Sequence, residues 1–377
     1  MPNRRSSPLS RRSFLSQAGA GLAATSLAAR ALGAQRVPDP PGRKLGWAIV
    51  GLGSLAINQI LPAFAKCEQS KVTALVSGHP DKARKLAARY GVAEKNIHTY
   101  DTYDRLRDNP EVDIVYIVLP NGMHAEYTIR AAKAGKHVLC EKPMANTAAD
   151  CQQMIDACRQ ANRLLMIAYR LHYEPYNQAL IKVARDQEFG PLKVVLADAG
   201  FPIGDPTQWR LNRQMAGGGS LMDIGIYALN ASRYLTGEEP TEVHAMEYTT
   251  PNDPRFKEVE ETLTFQLRFP SGVLANCTSS YGAPFNRFRV VGTKGWAELE
   301  PALIYSNLKM RAGTWNTVEE RQQPVVDHFA AEMDHLSSCV MQGTSPKTPG
   351  EEGLKDLRIM EAIYQSAKEK QLVRLQG

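Results

Sequence analysis

The sequence predicts an α/β protein of two domains. The first half alternates buried strands with helices, and the second is an α+β unit built on a mainly antiparallel open sheet. Three observations predict this. Apolar runs at 45–50, 72–76, 113–119, 137–140 and 164–168 alternate with helix-period stretches, the pattern of a parallel sheet with connecting helices. Beyond Pro175, strand-like runs follow one another at 192–199, 258–269, 273–281, 286–292 and 296–300, with short turns such as Pro270-Ser271-Gly272 between them. That arrangement suits antiparallel pairing with one face left open. Finally, 377 residues with 43% hydrophobic and 22% charged are enough for two full cores.

A segment of different composition precedes both halves. Ser10-Arg11-Arg12-Ser13-Phe14-Leu15 is followed by an Ala-, Gly- and Leu-rich run at 18–29 and small residues around Ala31 and Ala34. This is the pattern of a twin-arginine export signal. Residues 1–34 are therefore expected to be a signal peptide read by the twin-arginine export machinery, with the mature protein in the periplasm. Cleavage fits after either Ala31 or Ala34. Residues 35–44 form a proline-rich arm with no core of their own, which leaves 45–170 and 171–377 as the two domains. Five of the arginines behind the net charge of +6 (Arg4, Arg5, Arg11, Arg12, Arg30) lie in this leader, so the charge implies no nucleic-acid face. The six cysteines are scattered, with no C-x-x-C pair and no zinc-ligand spacing. Buried free thiols and no metal are expected. No stretch after the leader approaches the ~20 apolar residues of a spanning helix, so no membrane partner is expected for the mature form.

The strand at 45–50 runs into Gly51-Leu52-Gly53-Ser54-Leu55-Ala56 and then a helix to about 66. In that context G-x-G-x-x-A is a Rossmann dinucleotide-binding fingerprint. Gly51 permits the tight turn, Gly53 lets the backbone approach a pyrophosphate, and Ala56 packs the helix on the sheet. With Ser54 and Leu55 they should present the helix N-terminus to the phosphates. The second strand ends on Ser77-Gly78-His79 instead of the acid that binds an NAD ribose. Ser77 leaves room for a 2'-phosphate that Lys82 can balance, so NADP is the expected cofactor.

The strand at 113–119 ends in a loop from which Leu119, Pro120 and Asn121 should line the cofactor. His124 is expected either to contact the ligand or to cap the helix that follows. The strand at 137–140 runs into Glu141-Lys142-Pro143, a charged pair at a carboxyl edge, where ligands of open α/β sheets bind. Pro143 ends the strand, having no N–H to donate. Lys142 offers a compact cation with three donors. Alone, such a tripeptide is more often an exposed turn.

In the second half, Gly217-Gly218-Gly219-Ser220 opens a helix with Ser220 as its N-cap. Asp223 and Tyr227 then fall one turn apart on one face. Singly, they read as a helix-start carboxylate and a core aromatic.

Taken together, these features resemble the Gfo/Idh/MocA oxidoreductases over nearly the whole chain, and within them the glucose-fructose oxidoreductase branch. The matching residues are the leader, Ala48-Ile49-Val50-Gly51-Leu52-Gly53, Ala74-Leu75-Val76-Ser77-Gly78, Ala134-Gly135-Lys136-His137-Val138, Glu141-Lys142-Pro143-Met144-Ala145, Trp209-Arg210-Leu211 and the run 217–227. Many members have histidine where this chain has Tyr227. The resemblance implies a tightly held NADP that is reduced by one sugar and reoxidised by another, in a homo-oligomer (dimer or tetramer) packed through the open sheets. It implies Lys142 and Tyr227 as catalytic residues, with Asp223 orienting Lys142 or the sugar, and a Lys142 cation that would make the Tyr227 phenol a better base. Arg170 and Glu141 would join the cofactor site, and Tyr169, Trp209, Arg210 and Tyr281 the sugar site.

The expected cycle is ping-pong, taking glucose to its lactone at C1 and fructose to sorbitol. The loops at 201–208 and 283–286 depart from the family pattern, and they bear on the second sugar. Two alternatives stand beside this reading. One is an NADP-dependent sugar dehydrogenase with exchangeable cofactor, which a periplasm without free nicotinamide nucleotide disfavours. The other is a non-catalytic sugar-binding protein with a vestigial site.

Overall fold

The computed structural model describes residues 42–375. The predicted signal peptide and the arm up to Pro41 lie outside the described residues. Six strands form the first sheet: β1 (Leu45–Val50), β2 (Ser70–Val76), β3 (Ile97–His98), β4 (Ile114–Ile117), β5 (His137–Glu141) and β6 (Leu165–Ala168). Their order is β3-β2-β1-β4-β5-β6, all parallel. Helices cover both faces, so β1 and β4 are buried at every residue, which is why these strands read as apolar runs. The chain winds outward from β1 one way and from β4 the other. The crevice beyond their carboxyl ends is therefore the switch point where such sheets take ligands.

The helices of this half are α1 (Pro80–Tyr90), α2 (His124–Lys133) and α3 (Ala148–Gln160). Thr147 caps α3 by accepting the Asp150 N–H at 3.1 Å. The helix expected up to residue 66 is irregular: a π turn at Ala56–Ile60, an α turn at Leu61–Ala63 and a 3-10 turn at Phe64–Lys66. Pro62 supplies no N–H there, which interrupts the regular ladder.

The second sheet has nine strands in the order β14-β13-β12-β11-β7-β10-β9-β8-β15. They are β7 (Leu192–Gly200), β8 (Glu242–Tyr248), β9 (Thr262–Arg268), β10 (Leu274–Ser280), β11 (Phe285–Gly292), β12 (Trp296–Leu299), β13 (Met310–Gly313), β14 (Val318–Arg321) and β15 (Val373–Arg374). Only the β7–β10 pair is parallel. Burial alternates along β9, with Leu263, Phe265 and Leu267 inward, and α4 (Pro175–Arg185), α5 (Ile226–Thr236) and α7 (Gly350–Glu369) pack on the inner side. The outer face is open, with Met246 and Tyr248 well exposed.

Two differences from the sequence reading have physical causes. Strands β8, β13, β14 and β15 were not anticipated, since β14 is polar and exposed and β15 has two residues, both typical of sheet edges. The strand expected from 258 begins only at Thr262, because Glu260 and Glu261 turn inward to serve backbone N–H groups.

A late helix, α6 (His328–Gln342), returns to the first sheet. Phe329, Met333, Leu336 and Val340 join Trp47 and Ile49 in one core cluster, and Trp47 Nε1 donates to Ser337 Oγ at 3.1 Å. All six cysteines are buried and free. Among the described residues, no His/Cys/Asp/Glu cluster could hold a metal, and no helix is long and apolar enough to cross a membrane.

Candidate active site

The crevice at the switch point is a cleft of about 350 Å³. One wall is the run from Gly51 to Leu55 with Ser77 and Lys82; the other holds Leu119, Pro120, Asn121, Glu141, Lys142, Trp209, Arg210 and Asp223. Gly51 sits at φ +93°, and a Cβ there would lie 2.4 Å from the Val118 carbonyl oxygen, so only glycine makes this turn. At Gly53 an added Cβ would meet nothing within 4 Å. That open space is the cradle a pyrophosphate backbone needs.

At the β2 end of the cleft, Ser77 Oγ accepts the His79 N–H at 3.1 Å and Lys82 Nζ donates to the Leu52 carbonyl at 3.3 Å. The carboxylates among the lining residues, Glu141 and Asp223, lie at the other end, past β4. The residues present therefore fit a dinucleotide whose ribose carries a 2'-phosphate.

The reactive end is built where β5 meets the helical segment following the triple glycine. Lys142 Nζ donates to the Asp223 carbonyl oxygen at 2.5 Å, pairs with Asp223 Oδ1 at 3.5 Å and stands 4.7 Å from the centre of the Tyr227 ring. Asp223 Oδ2 accepts from Arg210 Nε at 2.8 Å and from the Tyr281 hydroxyl at 3.1 Å. Burial pulls the Lys142 ammonium down, but Tyr227, Asp223 and Glu141 outweigh it and hold Lys142 above the ordinary lysine value. Burial pushes the Asp223 carboxyl up, and Arg210 and Lys142 outweigh that to hold it below its usual range. The site thus keeps a cation and an anion side by side. Glu141 is buried, accepts the Tyr116 hydroxyl at 2.7 Å, and is pushed up by burial.

Several expectations are corrected. Ser220 does not cap the helix: its hydroxyl bonds Ser279 Oγ at 3.0 Å and its backbone is already helical. The helix itself starts as a π turn at Leu221–Gly225 before α5. His124 contacts no ligand space. It is fully buried, with its ring nitrogens 2.9 and 2.8 Å from the Pro143 and Leu119 carbonyls, and so ties the two lining loops together. Tyr169 points away from the cleft, donating to buried Asp356 at 2.6 Å. Arg170 does not line the nucleotide cleft. Its guanidinium lies between the Tyr227 and Tyr305 rings, 5.3 and 4.8 Å from their centres, and donates to the Leu303 carbonyl. Tyr281 is fully buried and acts on Asp223. Trp209 stays at the cleft, with the Arg210 guanidinium 4.6 Å over its ring.

Sequence reasoning missed Tyr305, half-exposed on the far side of Arg170, and Glu332 of α6. Glu332 is fully buried, with neither carboxyl oxygen bonded, and burial and nearby Glu141 push its pKa well up. Tyr305 lies in an irregular stretch without periodicity, and Glu332 reads as an ordinary helix-surface acid.

Comparison with known proteins accords with this geometry. Residues 45–169 match the family model described as oxidoreductase family, NAD-binding Rossmann fold, and residues 177–298 match the GFO/IDH/MocA C-terminal domain. The chain is 33% identical over 348 residues to the D-xylose 1-dehydrogenase [NADP(+)] of Haloarcula marismortui, covering 90% of this chain and 95% of that one. It is 26% identical over 331 residues to the 1,5-anhydro-D-fructose reductase of Ensifer adhaerens, covering 85% and 96%. The crystal structure of aldose-aldose oxidoreductase from Caulobacter crescentus, complexed with glycerol, superposes with a TM-score of 0.87. That match has 54% identity and covers 88% of this chain and 100% of that one.

Proposed function

The chain belongs to the GFO/IDH/MocA oxidoreductases, and from that premise we propose that it is an exported sugar–sugar oxidoreductase that keeps its NADP through the whole cycle. It is an NADP-dependent oxidoreductase acting on CH–OH groups of sugars. The observation that carries the reading is the meeting of Lys142 and Asp223 in the lining of a cleft fitted to NADP, with the Tyr227 ring beside Lys142.

Bound NADP supplies the hydride acceptor for one half-reaction and, once reduced, the donor for the other. The chain supplies the proton chemistry and the orientation. Tyr227's phenolic oxygen takes the proton from the C1 hydroxyl of the donor aldose as the C1–H bond breaks, so the sugar leaves as its lactone. Lys142, held cationic by its neighbours, stabilises negative charge on that oxygen. Asp223 keeps Lys142 and Arg210 in place, and Trp209 gives the sugar ring an aromatic wall. In the second half-reaction the phenol returns the proton to the oxygen of the reduced carbonyl, which restores the starting state.

Glucose is the proposed donor. The 54% identity to a protein named aldose-aldose oxidoreductase favours a second aldose as acceptor, with fructose the competing outcome. The open face of the nine-stranded sheet is the proposed surface for a homodimer or tetramer. Turnover of two sugars without added NADP, in a ping-pong pattern, is the expected result. Turnover that scales with added free NADP replaces this reading with the exchangeable-cofactor dehydrogenase, which the 33% relationship to a D-xylose 1-dehydrogenase supports. The assembled Lys142–Asp223–Tyr227 group counts against a vestigial site.

Two further results are expected. Ser77→Asp places an acid where a 2'-phosphate would lie, so affinity for NAD relative to NADP should rise; an unchanged ratio in competitive binding would remove Ser77 from cofactor choice. Changing both Arg11 and Arg12 to Lys should leave the precursor in the cytoplasm, as read by fractionation, whereas unaltered periplasmic recovery would show that the leader does not use the twin-arginine route.

A further inference from the structure

Glu260, just ahead of β9, is 6% exposed. A buried carboxylate needs donors in place of its lost water, and two of the three it finds are backbone N–H groups at the start of the helix bearing Asp223 and Tyr227, the third being the Tyr364 hydroxyl of α7. Oε2 accepts the Gly219 N–H at 2.8 Å. Oε1 accepts the Leu221 N–H at 2.9 Å and the Tyr364 hydroxyl at 3.0 Å. Burial pushes the Glu260 carboxyl up, the donors from Leu221, Gly219 and Tyr364 oppose that, and the carboxyl faces the positive end of the helix dipole. A Cβ on Gly219 would lie 2.0 Å from the Glu260 carbonyl oxygen, and one on Gly218 would lie 2.1 Å from the Tyr364 hydroxyl. The glycine run is therefore a docking face for these two side chains as well as a turn. Asp223 donates its N–H to the Gly219 carbonyl at 3.3 Å, so a shift at Gly219 reaches Asp223 directly and Tyr227 one turn later.

We propose that Glu260, assisted by Tyr364, is a positioning residue for hydride transfer, setting the distances from Asp223 and Tyr227 to Lys142. The role rests on the reading of those groups given above. Glu260 and Tyr364 themselves are not among the residues lining the nucleotide cleft, whose Gly51–Leu55 cradle belongs to the other sheet.

The test uses the full-length, nucleotide-loaded protein and two variants, Glu260→Gln and Tyr364→Phe. Glutamine keeps the volume but turns one acceptor into a donor facing an N–H. Hydrogen exchange at the Gly219 and Leu221 amides should quicken by an order of magnitude or more in Glu260→Gln. Single-turnover reduction of the bound nucleotide by glucose should slow by on the order of 10²-fold, the scale of an ångström-sized misplacement. Nucleotide content and the final fraction reduced should not change. Tyr364→Phe should move both rates the same way by less. A residue needed only for folding would instead lower the final fraction reduced and leave the rate constant of the surviving molecules unchanged, and that outcome overturns the proposal. So does faster exchange with an unaltered rate. If Glu260→Gln does not fold, Tyr364→Phe decides, and wild-type exchange and rate reject the role. If glucose never reduces the wild-type nucleotide, the functional reading fails instead, and unchanged exchange would still reject Glu260 as the anchor.

Discussion

Tyr227→Phe should leave a folded protein that still holds NADP and no longer reduces it with sugar. The ring stays, and with it the packing of Lys142 at 4.7 Å and Arg170 at 5.3 Å from its centre. Only the hydroxyl is lost, and the nucleotide cradle on the first sheet does not touch it. Removing a general acid–base group costs roughly 10²–10⁴-fold in rate, so single-turnover reduction by glucose should fall at least 10²-fold at unchanged nucleotide content. A variant reducing its nucleotide at near wild-type rate would take Tyr227 out of the mechanism.

Asp223→Asn should cost both rate and stability, because it removes the anion between two cations. The side chains of Lys142 and Arg210 are 11% and 34% exposed, so Lys142 in particular cannot recover its hydration. Breaking a buried ion pair by removing one partner costs about 3–5 kcal/mol; with Arg210 one-third exposed, the lower end, about 3 kcal/mol, is expected. The pH dependence has a definite sign. Asp223's carboxyl is held below its usual range in the fold, so it stabilises the native state above the unfolded value of about 3.9. That stabilisation disappears as pH falls through the lower native value. Chemical denaturation should show wild type more stable than Asp223→Asn at neutral pH, with the gap closing in acid. A gap constant across that range would mean that Asp223 is not ionised in the fold.

The first sheet was legible because strands buried on both faces read as continuous apolar runs, and because Gly51, Gly53 and Ala56 have roles that few other residues can fill. Lys142, Asp223 and Tyr227 were legible as a set, each being ambiguous alone. The misses share a cause: burial and direction are decided by residues far away in sequence. Nothing near Tyr169 announces that Asp356 will claim its hydroxyl, and nothing near His124 announces two carbonyls from different loops. Ser220 had the chemistry of a cap, yet Glu260 took that place from the segment ahead of β9, and Ser220 turned to Ser279. Tyr305 reaches the site only because Arg170 lies between it and Tyr227, a contact without a local pattern.

The central claim is that one bound nicotinamide serves both sugars, and the absorbance spectrum of the purified protein tests it most directly. With no cofactor added, glucose alone should raise the NADPH band to a level set by the bound nucleotide, and a second sugar should then bring it down. A protein that carries no nicotinamide, or whose band appears only in proportion to added free NADP, would contradict the account.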